Sequence, residues 1–320
     1  MIIVTGAAGF IGSCLVRKLN NEGFTHLVLA DDFSDELKNK NLEGKQFIEK
    51  VHRKELMSWT EKNHQLVDFI FHIGARTDTT EFDTAIFDEL NLNYSKNLWE
   101  KCVKFQIPFI YASSAATYGM GEFGFEDNHE IVEKLKPLNP YGQSKNEFDK
   151  RVLRQIECPP FWAGFKFFNV FGPNQVSQFV ISKFIHNAKQ NKPIVINGDG
   201  KQQRAYCYVD DAVRGILMAL QSEKANAEVI NIGNSSNLIS INDLARMICR
   251  IINVDAAIIT NDLKFENTDR KREREIFKRY PDTNKAKLLL GFEAEVGLEE
   301  ALKKVVKNAN YIKSWPKKRT

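Results

Sequence analysis

Short apolar runs alternate with helix-like segments through the first half of the chain. Five runs have the length and composition of buried strands: residues 1–5, 26–30, 67–74, 107–114 and 161–170. Between the first two runs, Ile11, Leu15 and Leu19 recur at helical spacing, and Gly23 follows as a helix terminator. Strands that alternate with helices indicate a parallel sheet covered on both faces, so the pattern predicts an α/β protein with a doubly wound sheet.

The alternation is lost after residue 172, where helical stretches and short strands follow without a repeated unit. A later apolar run, residues 228–233, has the character of one more strand of the main sheet. We therefore predict two interleaved lobes. Residues 1–172, rejoined by about 206–234, form the larger lobe, and residues 173–205 and 235–320 form a smaller C-terminal lobe.

The bulk composition excludes some classes of function. The chain has 320 residues, which suits two lobes, and its 43% hydrophobic and 27% charged residues are ordinary for a globular protein. The net charge of +4 is mild and the basic residues are interspersed with acids, so we expect no nucleic-acid partner.

Cysteine spacing and hydropathy bear on location. Five cysteines are scattered along the chain and none is spaced as a metal knuckle or redox pair, so we expect reduced thiols, a cytoplasmic protein and no metal site. The opening "MIIVTG" lacks the charged region and cleavage site of a signal peptide. No apolar run approaches the ~18 residues that span a bilayer, so we expect no membrane association.

Three glycines lie between the first predicted strand and the first predicted helix, in "VTGAAGFIGS". Gly6 permits a tight turn, Gly9 lets the backbone approach a pyrophosphate at the helix N-terminus, and Gly12 lets the helix pack closely on the sheet. Asp31 ends the second strand, where its carboxylate would accept hydrogen bonds from an adenosine ribose. This combination predicts a dinucleotide-binding Rossmann fold.

Charges near the second strand bear on the choice between NAD and NADP. Asp31 and Asp32 would repel the 2′-phosphate of NADP. Lys38 and Arg53 lie further along the chain and would bind such a phosphate. The residues leave NAD and NADP both open, with Asp31, Asp32 and Lys38 as candidate cofactor-binding residues.

A second helix is predicted to begin in the stretch "PLNPYGQSK". Its two prolines exclude a helix before Tyr141. After Tyr141, the residues Phe148, Val152 and Ile156 recur at helical spacing and indicate one apolar face.

Tyr141 and Lys145 would project together from the first turn of this helix, because residues four apart share a face. A nearby ammonium favours the phenolate, so Tyr141 would become a base closer to neutral pH. Lys145 would also hold the nicotinamide ribose, so Tyr141 and Lys145 are candidate cofactor-binding residues as well. Ser113 and Ser114 end a predicted strand, where ligands bind in doubly wound sheets, and a serine hydroxyl there would contact the same substrate oxygen.

Four motifs together resemble the extended short-chain dehydrogenase/reductase family: "TGAAGFIG", "YASSAATYG", "NPYGQSK" and "FFNVFGP". Its members act on nucleotide sugars with a tightly held NAD or NADP. The resemblance implies that the large lobe binds the dinucleotide and the small lobe binds a nucleotide-diphosphate sugar. It also implies a homodimer or higher homo-oligomer.

The resemblance carries site residues with it. It implies a catalytic triad of Ser114, Tyr141 and Lys145, with Tyr141 as the acid/base. The residues that it implies beside the dinucleotide are Phe10, Ile11, Asp31, Ala75 and Asn91. For the sugar nucleotide it implies contacts from Asn169, and from Arg204 and Arg272 on the diphosphate.

Within the family, the chain through Gln175 is most similar to ADP-L-glycero-D-manno-heptose 6-epimerases. Those enzymes carry a second acid/base lysine after "FNVYGP", and no lysine stands at the matching place here. Lys183 is the nearest, and its helical context favours an exposed surface residue. The second half of the chain resembles general nucleotide-sugar epimerases.

The sequence therefore predicts an NAD(P)-dependent nucleotide-sugar epimerase that acts by transient oxidation and hydride return. A UDP-hexose 4-epimerase is the first alternative, and a non-catalytic NAD(P)-binding protein is the second. Dehydration is disfavoured, because Ala115 and Ala116 stand where sugar dehydratases place an acidic pair.

Overall fold

The computed structural model describes residues 1–175, 179–261 and 276–308. Its strands, in chain order, are β1 (Ile2–Thr5), β2 (Leu27–Asp31), β3 (Glu49–His52), β4 (Phe69–His72), β5 (Phe109–Ser114), β6 (Trp162–Phe167), β7 (Val170–Phe171), β8 (Ile194–Asn197), β9 (Gln203–Ala205), β10 (Cys207–Tyr208), β11 (Glu228–Ile232), β12 (Leu238–Ser240), β13 (Ile258–Asn261) and β14 (Lys278–Arg279).

Its α-helices are α1 (Phe10–Asn21), α2 (Glu36–Asn39), α3 (Leu56–Asn63), α4 (Thr84–Phe87), α5 (Tyr94–Phe105), α6 (Pro140–Arg154), α7 (Val180–Lys189), α8 (Val209–Ala219), α9 (Ile241–Ile252), α10 (Asn284–Leu290) and α11 (Leu298–Asn308). A π-helical turn, Asp88–Asn93, joins α4 to α5, and a 3₁₀ turn, Ala115–Tyr118, follows β5.

The main sheet has seven strands in the order β11-β6-β5-β4-β1-β2-β3. Every neighbouring pair in it is parallel. This is the strand order of a Rossmann fold with a seventh strand added beside β6, so the predicted doubly wound sheet is confirmed. The prediction that residues 228–233 rejoin the sheet is confirmed as well, because β11 pairs with β6.

Strand β3 is the member of this sheet that the apolar pattern misses. Its sequence "EKVH" is an edge strand in which only Val51 is buried, so it has no apolar run. An edge strand with charged residues is expected on physical grounds, since a charged edge resists pairing with another chain.

The chain divides into two compact units. The first comprises residues 1–167, 213–232 and 282–293, and it contains the seven-stranded sheet. The second comprises residues 168–212, 233–281 and 294–320. The sequence prediction assigns 168–172 and 206–212 to the larger lobe and 282–293 to the smaller one, whereas the structure groups them the other way.

Aromatic side chains fill the core of the first unit on one face of the sheet. Trp99 of α5 meets Phe109, Phe148 and Trp162 edge-on, with ring centroids 5.9, 6.2 and 5.4 Å apart. All four are buried. Edge-to-face pairs add to the burial of apolar area, and here they join α5, α6, β5 and β6.

Helix α6 begins one residue earlier than the sequence predicts. Pro140 is its first residue, a position that tolerates the missing N–H, and the side chain of Asn139 caps the helix by accepting from Gly142 N at 2.8 Å. The helix ends at Arg154, so the predicted place of Ile156 on its apolar face is wrong. Ile156 is 98% exposed.

The second unit contains three small sheets. They pair β10 with β7, β13 with β8, and β12 and β14 with β9. Helix α9 packs with α7 and α11, and its buried face includes Leu244, Ala245 and Ile248. These elements are short and local, which is why their strands gave a weak periodic signal in the sequence.

The close approach of backbone segments under α1 requires glycine. A Cβ on Gly6 would lie 2.5 Å from the Cα of Gly74, and Gly6 has a φ of +63°. A Cβ on Gly12 would collide with the carbonyl oxygen of Gly6. The helix therefore sits against the turn at a distance that a methyl group prevents, as the sequence predicts.

Substituting Gly12 by alanine should destabilise the protein, because the added methyl meets backbone that has no side-chain freedom to yield. We expect a loss of about 1–3 kcal/mol in the free energy of unfolding, measured by urea denaturation. Gly297→Ala is the matched control, since a Cβ there would enter open space. Equal stability of Gly12→Ala and the wild type would contradict this packing.

Candidate active site

The glycine turn between β1 and α1 is held by Asp31 at the end of β2. Its Oδ2 accepts from the backbone N–H of Ala8 at 2.9 Å, and its Oδ1 accepts from Asp32 N at 2.7 Å. Gly9 is the N-cap of α1, and among the described side chains none caps that end. The first N–H groups of α1, from Phe10 onward, therefore remain available to an anion.

Two ion pairs surround the end of β2. Lys38 of α2 donates to Asp31 Oδ1, and both side chains are largely buried. Arg53 lies 3.4 Å from Asp32 Oδ2, and Ser34 also donates to Asp32. The hydrogen bond from Ser34 is the main reason that the pKa of Asp32 falls below its ordinary value. The structure thus brings together Asp31, Asp32 and Lys38 as the sequence grouped them.

Asn91 joins three segments near the carboxyl edge of the sheet. Its side chain accepts from Arg76 N at 2.8 Å and donates to Arg76 O at 3.0 Å, in the loop that contains Ala75 after β4. It also donates to Ser144 Oγ of α6 at 3.0 Å. Asn91 is 1% exposed, so it fixes the Ala75 loop to the helix that carries Tyr141.

Ser114 and Tyr141 meet where β5 ends and α6 begins. The Ser114 side chain lies beside the Tyr141 phenol, and its influence lowers the pKa of that phenol. Burial acts in the other direction and dominates, so the pKa of Tyr141 lies above its ordinary value of 10.0. The sequence predicts a lowered pKa for this phenol, whereas the shift is upward because burial outweighs the nearby polar groups.

Lys145 is buried one turn further along α6. Its Nζ donates to the carbonyl oxygen of Ala112 on β5 at 2.6 Å. Burial lowers its pKa to about 8, and the carboxylate of Asp149 opposes that shift. Lys145 therefore points to the sheet rather than to open solvent, and burial disfavours its charged form.

Two of the three candidate substrate residues, Asn169 and Arg204, are described by the structure, and both lie in the second unit. Asn169 has a φ of +39°, and its side chain donates to the carbonyl of Ala205 at 2.9 Å. Arg204 precedes Ala205 on β9 and is half-buried, so the structure brings Asn169 and Arg204 together. Arg272 lies outside the described residues. Lys183 is exposed on α7, as its helical context predicts.

Asp149 and Lys166 are buried charged residues that the motif search did not select. Asp149 is 0% exposed on α6, and Lys166, the last residue but one of β6, is 1% exposed. A lysine inside the apolar run "FWAGFKFFNV" is a usable sequence signal, because a buried ammonium requires a partner.

In the described parts of the chain, no helix is both long and apolar enough to cross a membrane. In the same residues, no group of three or more histidine, cysteine, aspartate or glutamate side chains is arranged to hold a metal ion.

Comparison with known proteins decides the family. Residues 2–233 match the profile of the NAD dependent epimerase/dehydratase family. The chain belongs to this family. Membership confirms the predicted resemblance to short-chain dehydrogenase/reductase epimerases, and the open N-terminus of α1 beside Asp31 fits the dinucleotide that gives the family its name.

Curated relatives of this family member are epimerases. An ADP-L-glycero-D-manno-heptose-6-epimerase from Fusobacterium nucleatum is 37% identical over 251 residues, which are 73% of this chain and 74% of that protein. The enzyme of the same name from Nitratidesulfovibrio vulgaris is 38% identical over 271 residues, or 81% of this chain and 83% of that protein.

Solved structures of the family resemble the chain along nearly its whole length. UDP-glucose 4-epimerase from Thermotoga maritima, solved with UDP-glucose, has a TM-score of 0.80 at 29% identity and covers 97% of this chain and 98% of that one. UDP-glucuronic acid 4-epimerase from Bacillus cereus, solved with UDP-glucuronic acid and NAD, has the same score and coverage at 27% identity.

Lys145 should make the stability of the protein depend on pH. Between its folded pKa of about 8 and its ordinary value of 10.5, the unfolded chain holds a proton that the native protein has lost. The free energy of unfolding of the wild type, minus that of Lys145→Met, should therefore rise from pH 8 to pH 10.5, by about 1–3 kcal/mol in urea denaturation.

Lys62→Met, on the exposed side of α3, is the control for loss of one positive charge. A difference between wild type and Lys145→Met that stays flat or falls over this pH range would show that burial does not disfavour the Lys145 ammonium.

Proposed function

We propose that the protein is an epimerase of ADP-L-glycero-D-manno-heptose that inverts one sugar carbon by transient oxidation and hydride return. The observation that carries the proposal is the contact of Ser114 with Tyr141 at the carboxyl edge of the sheet, where ligands of doubly wound folds bind. The identity of 37–38% to curated ADP-heptose epimerases supports the choice of substrate.

The dinucleotide would be held by the first unit. Gly6 and Gly9 shape the turn, and the N–H groups of Phe10, Ile11 and Gly12 in the first turn of α1 suit the pyrophosphate. The acidic end of β2 would hold the adenosine ribose, and the Asn91-bound loop would lie beside the nicotinamide half. When bound, the nicotinamide accepts hydride from the sugar carbon and returns it.

Tyr141 and Ser114 would handle the hydroxyl proton of the sugar. Ser114 donates to or accepts from the hydroxyl oxygen and holds it against the phenol. The phenolate oxygen of Tyr141 takes the proton as the carbon is oxidised and gives it back as the carbon is reduced. One proton leaves and one returns, so a single acid/base serves both half-reactions if the oxidised sugar turns over in the pocket.

Lys145 would supply positive charge to this site. Its ammonium on the first turns of α6 would stabilise a neighbouring phenolate and would donate to a ribose hydroxyl. Burial makes the phenol of Tyr141 hold its proton more tightly than an exposed phenol, so positive charge beside it would favour the phenolate.

A UDP-hexose 4-epimerase is the second candidate, and two observations favour it. The solved neighbours with TM-scores of 0.80 include enzymes crystallised with UDP sugars. The chain also lacks a lysine where the heptose enzymes have their second acid/base, and a mechanism with one acid/base at Tyr141 does not need it.

Tyr141→Phe should abolish epimerisation and spare dinucleotide binding, because it removes only the oxygen that carries the proton. We expect turnover to fall by at least ~10³-fold, followed by the sugar proton signals in NMR spectra. Gln143→Ala, at an exposed position of the same helix, is the matched control and should keep full activity.

The same assay separates the candidate functions. Epimerisation of ADP-heptose but not UDP-glucose supports the proposal, and the reverse result favours the 4-epimerase. A wild-type protein that binds NAD or NADP and converts neither sugar would favour a non-catalytic binding protein.

Lys38→Ala and Arg53→Ala should weaken NADP more than NAD, because only NADP carries a 2′-phosphate for these cations to bind. We expect the ratio of the two dissociation constants to shift by about tenfold for each variant in calorimetric titrations. Lys40→Ala is the matched control, since Lys40 is exposed next to α2. An unchanged ratio would place the adenosine ribose away from both cations.

A further inference from the structure

A buried ion pair lies beneath the serine and tyrosine of the candidate site. Lys166 Nζ of β6 is 3.2 Å from Asp149 Oδ2 of α6, and neither side chain has more than 1% exposure. Both residues belong to the first unit, and neither has a part in the proposed reaction.

The Asp149 carboxylate is also fully hydrogen-bonded. Its Oδ1 accepts from the Tyr111 hydroxyl at 2.9 Å and its Oδ2 accepts from Ser113 Oγ at 2.7 Å. Tyr111 and Ser113 both belong to β5, so Asp149 ties α6 to the strand that ends in Ser114. Several donors on one carboxylate stabilise its charged form.

Lys166 reaches the backbone of the catalytic serine through one side chain. Its Nζ donates to Thr117 Oγ1 at 2.9 Å, and Thr117 Oγ1 donates to the carbonyl oxygen of Ser114 at 2.8 Å. Lys166 is therefore connected to both candidate site residues through one intervening side chain each. Thr117 connects it to Ser114, and Asp149 connects it to the helix that carries Tyr141.

A buried ion pair that joins a helix to a sheet has a large desolvation free energy. Removing two charges from water costs more free energy than burying an apolar pair of similar size, and such apolar pairs often stabilise proteins more. The pair Asp149–Lys166 is thus better explained by its charge than by its packing. The titratable groups that respond to the Asp149 charge are Tyr111, which donates to it, and also Tyr141 and Lys145 earlier on α6.

We propose that Lys166 is a positioning residue for proton transfer: it neutralises Asp149, so that the carboxylate does not oppose phenolate formation at Tyr141 eight residues earlier on α6. This inference rests on the proposed function, in which Tyr141 carries the proton. Without Lys166, the Asp149 charge would act on Tyr141 through a water-poor interior, where charges interact over long distances.

The charged and titratable neighbours of Tyr141 and Lys145 support the direction of this effect. Burial is the main cause of the raised pKa of Tyr141. The Ser114 side chain lowers this pKa, and Asp149 raises it. Asp149 also raises the pKa of Lys145, against burial. His72 of β4 faces Lys145, but burial lowers the His72 pKa to about 3, so His72 is neutral over the working range.

Other charged groups and one aromatic ring act on the Lys166 ammonium of the ion pair. Burial lowers the pKa of Lys166, and Asp149 is the first group that opposes this, followed by Asp127. Lys285 of α10 lowers it further. The ring of Tyr118 lies 4.7 Å from the Lys166 ammonium, a distance that favours the cation.

The test measures the titration of Tyr141 in the full chain loaded with NAD. The ultraviolet phenolate signal of each protein, minus that of the same protein carrying Tyr141→Phe, isolates this one tyrosine. Lys166→Met should raise the midpoint by on the order of one pH unit, and Asp149→Asn should lower it by a similar amount. The double variant should return to within a few tenths of the wild-type midpoint.

Turnover supplies a second readout. In Lys166→Met, kcat at neutral pH should fall about tenfold, with its pH profile displaced upward and KM unchanged, because the phenolate fraction falls while the substrate contacts remain. Lys166→Arg keeps the charge and should keep the wild-type midpoint.

A purely structural role would lower kcat or stability in the single variants without moving either pH midpoint, and that result would overturn the inference. If Lys166→Met does not fold, an unmoved midpoint in Asp149→Asn overturns it equally. The phenolate titration needs no sugar, so shifted midpoints in a protein that converts no nucleotide sugar would contradict the proposed function and leave the role of Lys166 standing.

Discussion

The packing of helix α6 against strand β5 is the constraint on which the site depends. Pro140 and the Asn139 cap fix where the helix begins, and this places Tyr141 in its first turn beside Ser114. Further along, Asp149 binds two side chains of β5. A change in the register of α6 by one residue would turn its polar face by about 100° and separate the phenol from the serine.

The same edge of the sheet organises the candidate dinucleotide site by different means. There most of the contacts involve the backbone. Gly6 and Gly74 approach each other closely because neither has a side chain, and Asp31 binds the turn through the N–H of Ala8. The charges around β2 come in pairs, Asp31 with Lys38 and Asp32 with Arg53, so the end of β2 that we propose for the adenosine carries little net charge. Both the backbone and the charges are preorganised, which lowers the ordering cost of binding.

Much of this arrangement could be predicted from the sequence, and the misses have physical causes. The buried strands and the glycine turn have strong local patterns, so the sheet and the dinucleotide edge were predictable. The edge strand around Val51 carries charges and gave no apolar run, and Ile156 continued a helical period beyond the point where the helix ends. The upward shift of the Tyr141 pKa depends on burial, which no local spacing reports. Lys166 and Asp149 lie 17 residues apart in sequence, so their pairing is visible only in the fold.

The central claim is that the hydrogen on the inverted carbon travels to the dinucleotide and back, while Ser114 and Tyr141 handle only the hydroxyl proton. Epimerisation of the nucleotide sugar in deuterated water, with mass and NMR analysis of the product, tests this most directly. The account predicts that the inverted carbon keeps its original hydrogen and gains no deuterium. Deuterium at that carbon would show that the proton comes from solvent, and it would contradict the account.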